Sequence, residues 1–527
     1  MKKNLFCLEI VVWFVIILTW LYFGFSHCFD DDEFQHCHNA FLIWNGLIPY
    51  KDFFEHHLPL YHVVFSPLFI FGAKPASIFL FRIVSILASA GAFFILYRYL
   101  EKTQNKSIAL LCCILLAFVP MYLFKMIEAR PEPIAVLLYA GAVINILSGR
   151  DDYKNAIFSG ILSGLMVCFS QKYFFAFLGI FAAWFILKGK KTSLFFFEGF
   201  IISIFPLFLY LLLRGILPEF INSTVVMNLK WRYRFSPAGY LYEAFITAGF
   251  LIACGIAGVL TEFFEPGNKK KAMAILCLIV GCFLGIMIVP VPYRQTYLPL
   301  FIILTISSGT FLKSMSDLIK NQKLKTIVCI VMVFCAISNA SIRIYGEMHQ
   351  TNRSDFLTMA KVDSISPQTQ FFDGRCLLFY RMHTGYYGFM HHELLQMLDE
   401  EEYSNHIIEA IEKANFPLII YDYRVKQMPS QIQNFIQQHY CSVDNSDIYM
   451  PGLRVDRTEF INGKKEFEIY VSGYYTISWS GGKILLDGRH IEKNTSEFLD
   501  AGIHTFETEE FVDNLVLLLK RRRSTTL

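Results

Sequence analysis

Apolar residues occur in blocks of helix length near 5 to 25, 76 to 97, 107 to 124, 133 to 148, 155 to 170, 173 to 188, 194 to 213, 240 to 260, 272 to 289, 296 to 312 and 326 to 342. Blocks of this kind have the reach and character to cross a bilayer core, so the pattern predicts about eleven transmembrane helices. The polar breaks between them are asymmetric. Alternate breaks carry Arg98, Lys102 and Lys106; Arg150 and Lys154; Lys188, Lys190 and Lys191; Lys269, Lys270 and Lys271; and Lys313, Lys320, Lys323 and Lys325. Basic residues collect on the cytoplasmic side, which predicts a cytoplasmic N-terminus and, with an odd number of spans, places everything after about residue 343 outside. The first block follows a basic start and precedes no small-residue cleavage site, so it reads as a retained signal anchor.

Two of the outer breaks are long. In the first, residues 26 to 75, the segment 62 to 72 is too short to cross and is expected to lie in the interface. The second, 214 to 238, interleaves Lys230, Arg232 and Arg234 with Trp231, Tyr233 and Phe235. Beyond 343 the chain turns polar, and short apolar runs alternating with helix-like stretches over 371 to 450 predict a small α/β unit. From about 455 a period of two takes over in FEIYVSGYYTISW and KILLDGRHIEK, punctuated by Ser472-Gly473, Gly481-Gly482, Asp487-Gly488 and Ala501-Gly502, which predicts a β-sandwich. The expected organisation is mainly α and polytopic: a transmembrane domain over 1 to 342, an extracytoplasmic α/β segment over 343 to 453 and a β-sandwich over 454 to 527. The final Lys520 to Arg523 is a short basic tail.

Composition agrees. Of 527 residues 54% are hydrophobic and 17% charged, the net charge is +3 and the mean hydropathy is +0.43, which fits a membrane protein and gives no footprint for nucleic acid. Most of the 13 cysteines lie in apolar runs and act there as small hydrophobes. Cys28, Cys37, Cys376 and Cys441 do not, and pairing of 28 with 37 and of 376 with 441 is open to them in an oxidising compartment.

Chemistry concentrates between Asp30 and His62, where Asp30, Asp31, Asp32, Glu33 and Glu55 stand with five histidines. Carboxylates there could take a proton from a hydroxyl or amine, or hold a metal that polarises a phosphate. A solvated acidic loop is the bland alternative, and acids at a helix start also favour its dipole, but capping alone needs one acid. The histidines form no H-x-x-x-H pair, so a metal site would need them to converge in space. Lys125, Arg130, Lys172, Arg214, Lys230, Arg232, Arg234 and Arg294 fall on the outer side, where bases are depleted unless used. They either reach for lipid headgroups or bind phosphate, for which arginine's forked donors are suited.

These residues resemble the motifs of the polytopic GT-C glycosyltransferases, in particular the protein O-mannosyltransferase and aminoarabinose-transferase group. Asp32-Glu33 matches the Asp-Glu pair opening that group's first extracytoplasmic loop. Glu55-His56-His57-Leu58-Pro59-Leu60 resembles the later acidic-basic-proline motif, with His where Lys is common and one extra residue before the proline. Arg130-Pro131-Glu132 looks like the group's Arg-Pro-Asp, and Tyr293 to Pro299 like its Arg/Tyr-Leu-Pro segment. The resemblance covers roughly residues 1 to 342.

It implies an enzyme of the cell envelope, in a bacterial plasma membrane. A sugar on a polyprenyl phosphate would be attacked by a lipid, glycan or protein acceptor at the outer face, with inversion. Asp32 would be base or acceptor-positioning group, Glu33 and Glu55 would orient acceptor or cation, and Arg130, Arg294, Lys230 and Arg232 would neutralise the leaving phosphate. His56, His57 and Tyr293 would line the acceptor site. No redox cofactor is implied. A divalent cation, held by Asp32 and Glu55 if present, is left open. The β-sandwich turns are similar in style to carbohydrate-binding modules, a structural cap being the alternative. Two rival readings are a secondary transporter, which would keep charge at the bilayer midplane and show internal repeats, and a non-catalytic assembly protein for envelope glycans, for which Asp32 and Glu55 would be dispensable.

Overall fold

The computed structural model describes residues 2 to 148, 152 to 231, 236 to 366 and 370 to 520. Arg150, the cluster Arg232 to Phe235 and the tail residues Arg521 to Arg523 lie outside the described residues.

The first part is helical: α1 (Lys2–Ser26), α2 (Asp31–Trp44), α3 (Leu60–Phe65), α4 (Ile78–Thr103), α5 (Lys106–Ala117), α6 (Pro120–Lys125), α7 (Glu132–Leu147), α8 (Tyr153–Phe169), α9 (Phe174–Lys188), α10 (Lys190–Leu213), α11 (Leu217–Ile221), α12 (Met227–Lys230), α13 (Ala238–Phe264), α14 (Lys269–Ile288), α15 (Leu298–Leu318) and α16 (Gln322–Met348). All eleven predicted blocks are helices, and among the described residues eight helical stretches are long and apolar enough to cross a membrane. The remaining three, α5, α7 and α8, are shorter. The block over 107 to 124 is split because Pro120 has no N–H to continue the ladder, so α6 starts afresh. Large apolar side chains face outward along α10, among them Leu194, Phe197, Ile201 and Phe205, a surface suited to lipid. Inside, α8 and α10 approach closely: a Cβ on Gly160 would stand 2.0 Å from Phe196 O, and one on Gly199 2.1 Å from Ile157 O, so only glycine permits this contact. The segment expected in the interface is α3 followed by a 3₁₀ turn over Ser66–Phe71, with Ile70 and Phe71 exposed at its tip.

The rest folds against one end of this bundle as α17 (Arg353–Ile365), β1 (Phe371–Phe372), α18 (His392–Leu395), α19 (Glu400–Lys413), β2 (Leu418–Ile420), α20 (Ser430–His439), β3 (Tyr440–Ser442), β4 (Ile448–Val455), β5 (Lys464–Ile469), β6 (Gly473–Gly481), β7 (Ile484–Leu486), β8 (Arg489–Ile491), β9 (Thr495–Leu499), β10 (Gly502–Glu507) and β11 (Val512–Leu519). One sheet runs β1-β2-β4-β11-β6-β9, with β3 also on β4, and a second runs β5-β10-β7-β8. Alternation in β6 turns Tyr475, Ile477 and Trp479 inward, where they share a core with Phe467, Ile484 and Phe506 of the second sheet. The boundary expected at 453/454 falls inside β4, whose Ile448 and Tyr449 pair with β2 and whose Gly452 to Val455 pair with β11. A single sheet therefore joins the α/β segment to the sandwich.

The cysteine pairings expected for an oxidising compartment are not formed. All four thiols are free. Cys37 is buried on α2, whereas Cys28 turns the other way, its thiol donating to Gln350 Oε1 at 2.7 Å; the Cys376 thiol donates to Gly388 O at 2.9 Å and Cys441 is buried in β3.

Candidate active site

The site is built on the first turn of α2. Asp30 caps it, its carboxylate accepting from Asp32 N at 3.1 Å while Glu33 accepts from Asp30 N at 3.0 Å, a reciprocal capping box. The helix closes at Asn45 and Gly46, whose φ of +89° suits glycine. Successive residues on a helix step by about 100°, so the acids that follow the cap point to three different neighbours.

Glu33 turns into the protein and is fully buried. It takes Arg82 Nε at 2.7 Å, Arg82 Nη2 at 2.6 Å and Ala129 N at 2.7 Å. Asp31 turns to the C-terminal region, accepting from Arg375 Nε at 2.7 Å, Arg424 Nη2 at 3.1 Å and the Tyr423 hydroxyl. Asp32 meets Arg130, which also donates to Asp30 at 3.0 Å. Lys125 Nζ donates to Asp30 and to Glu128, both at 2.8 Å, and Arg130 Nε lies 2.8 Å from Glu128. Burial alone would push Asp30 and Asp32 up. The charges of Lys125 and Arg130 beside Asp30, and of Arg130 beside Asp32, outweigh it and hold both carboxyls below their ordinary range.

Glu55 is fully buried in the turn before α3. It accepts from His56 N at 2.8 Å, His57 N at 2.7 Å and the Asn39 amide, and its Oε1 lies 2.8 Å from His57 Nδ1. The carboxylate thus fixes the ring of His57. Burial, with Lys172 nearby, pushes His57 down to about 3, so it is neutral at physiological pH. Behind it His62 Nε2 lies 3.0 Å from His36 Nδ1.

A cavity of about 1020 Å³ opens over these groups. Of the residues singled out in the sequence, Asp32, His56, His57, Arg130, Tyr293 and Arg294 line it. Arg294 is held against Glu243 at 2.9 and 3.0 Å and lies over the Tyr240 ring. Glu33 and Glu55 do not line it; every oxygen of each is engaged from behind. Lys230 is exposed and absent from the lining: its neighbour two residues back, Asn228, faces inward and donates to His56 O at 3.1 Å, and two helical residues lie about 200° apart. Arg232 lies outside the described residues.

Sequence reasoning assigned Asp30, Asp31, Lys172, Gln295, His391 and Arg424 no particular role in the site, yet all six line the cavity, and Glu132 lies behind them, 3.5 Å from Lys172 Nζ. Lys172 and Lys125 carried a signal as outward cations. With its amide oriented to suit its neighbours, Gln295 accepts from Arg130 at 3.0 Å and Lys172 at 3.3 Å. Glu55, His56 and His57 bring possible ligand atoms within 4.8 Å of one another and could hold a divalent cation. Of the expected Asp32 and Glu55 pair, Glu55 belongs to this cluster, whereas Asp32 accepts from Arg130.

The architecture is the GT-C fold. ArnT from Cupriavidus metallidurans bound to undecaprenyl phosphate superposes with a TM-score of 0.59 at 10% identity, covering 84% of this chain and 97% of that one. The apo state of the same protein gives 0.59 at 11% identity, over 85% and 96%. No known family matches the sequence, and no curated protein matches it, so the likeness rests on the fold.

Proposed function

We propose that this chain is an integral membrane glycosyltransferase that moves a sugar from a polyprenyl-phosphate donor to an acceptor at the extracytoplasmic face, with inversion. The observation that carries the reading is one cavity lined by Asp32, paired with Arg130, together with Lys172 and Arg294, at the end of the bundle where the C-terminal region docks. The ArnT structure bound to undecaprenyl phosphate supports the choice of lipid class.

In this reading the donor phosphate enters among Arg130, Lys172 and Arg294. The acceptor attacks the anomeric carbon, the carbon–oxygen bond to phosphate breaks, and the lipid phosphate leaves with both electrons, its charge met by these cations. The incoming phosphate competes for Arg130, which relaxes its hold on Asp32. That carboxylate then gains proton affinity when the acceptor proton must be taken.

Arg294 rests on Glu243 until phosphate arrives, so Arg294→Met is expected to raise the donor KM about tenfold with a smaller change in kcat, roughly the value of one charge-assisted contact. Lipid extracted from the purified protein should contain a polyprenyl-phosphate sugar, reduced in Arg294→Met. Absence of any polyprenyl lipid, or equal amounts in both proteins, would overturn the reading. For orientation, Ile461, 75% exposed, is expected as Ile461→Cys to react with an impermeant thiol reagent on intact cells; labelling only after permeabilisation would reverse the topology.

A further inference from the structure

Apart from the cavity above, a second one of about 280 Å³ lies between the loop after α1 and the end of α16. His27, Cys28 and Glu347 each offer one ligand atom into this region, all within 4.8 Å of one another. We propose that these three residues bind a zinc ion that clips α16 to the loop carrying the first turn of α2.

The donor set is an imidazole, a thiolate and a carboxylate, which matches the borderline softness of Zn²⁺. His27 is only 6% exposed, and its Nδ1 has no hydrogen-bond partner, an unsatisfied buried group that ordinarily costs stability. That nitrogen lies 3.6 Å from Glu347 Oε2. The other oxygen of Glu347 is held by Arg343 Nη2 at 3.2 Å, which leaves Oε2 turned to the histidine. On its opposite edge His27 Nε2 faces Glu128 at 3.8 Å, the placement of a carboxylate that orients a metal-bound imidazole. The ring itself is stacked on Phe124, 4.7 Å between centroids. Cys28 Sγ now donates to Gln350 Oε1 at 2.7 Å; a metal would take the thiolate, displacing that proton. Three protein ligands leave a fourth position for water or Gln350.

The location gives such an ion a purpose. The window of α16 that could cross the membrane is only 11% buried, so little packing fixes this helix. Its end is tied to the same loop by Asn352, which donates to His27 O at 2.9 Å and accepts from Phe29 N at 2.6 Å. Zinc would strengthen that junction and, through Glu128, stiffen the Lys125 and Arg130 cluster.

The test uses the full chain in detergent, stripped with chelator and titrated with Co²⁺ and Zn²⁺. Co²⁺ is expected to give a sulfur-to-cobalt charge-transfer absorption that Zn²⁺ displaces. Cys28→Ser should abolish the band, Glu347→Gln should weaken binding at least about tenfold, and Glu55→Gln should leave the band in place. A second measurement on the unmutated chain is thiol alkylation mapped by peptide mass, in which Zn²⁺ should protect Cys28. No charge-transfer band, a band that survives Cys28→Ser, or equal alkylation of Cys28 with and without Zn²⁺ would each overturn the proposal. None of these readouts depends on transferase activity.

Discussion

Asp32→Asn is expected to lower sugar transfer by about 10²- to 10⁴-fold, the usual worth of a positioned general base, with the protein still folded. The side chain keeps its shape and can still offer one oxygen to Arg130, but it can no longer take a proton. Loss of its charge does not strand Arg130, because Asp30 and Glu128 remain beside it. Asp32 is also about 30% exposed, so water eases the change. Arg130→Met should act on the same carboxylate from the other side. Arg130 holds Asp32 below its ordinary range, so removing it raises that value, and the acidic limb of the kcat/KM profile is expected to move to higher pH. Transfer assays on monodisperse protein, with the melting temperature of each variant, check both. Undiminished transfer by Asp32→Asn would remove Asp32 from the reaction.

Much of the helical part was legible because each block is a separate apolar run, and burying it needs no knowledge of partners. The break at Pro120 was legible in principle, since proline cannot sit inside a ladder, but an apolar run of full length concealed it. The boundary at 453/454 was not legible: β4 pairs with β2 at one end and β11 at the other, and pairing across a sheet leaves no mark in local alternation. The acids illustrate the same limit within one turn. Their match to a short motif drew attention to Asp32 and Glu33 together, yet which acids reach the cavity and which lies beneath it depends on Arg82, Arg375 and Arg424. Two of these lie 344 and 393 residues from Asp31. The arginines' partners are properties of the fold, and no spacing encodes them.

Glu33→Gln is expected to damage folding, where Asp32→Asn does not. Arg82 is fully buried in α4, and among the described residues its guanidinium is matched by Glu33 alone of the carboxylates in hydrogen-bond contact, its donors also reaching the carbonyls of Gly24, His27 and Cys28 at 3.0, 2.9 and 3.3 Å. Removing one partner of a buried pair leaves an uncompensated charge and costs about 3–5 kcal/mol, a large share of the stability of a typical domain. The expected result is a clear fall in melting temperature and in monodisperse yield. In Glu33→Met/Arg82→Met the stranded charge is gone, so stability should recover in part. Recovery stops short of the wild type because Ala129 N and Asp30 N lose their acceptor, each at about 1–3 kcal/mol if left unsatisfied. Comparing the two single variants separates the neighbouring acids: a Glu33→Gln protein that melts with the wild type yet has lost transfer would place this carboxylate in the reaction rather than beneath it.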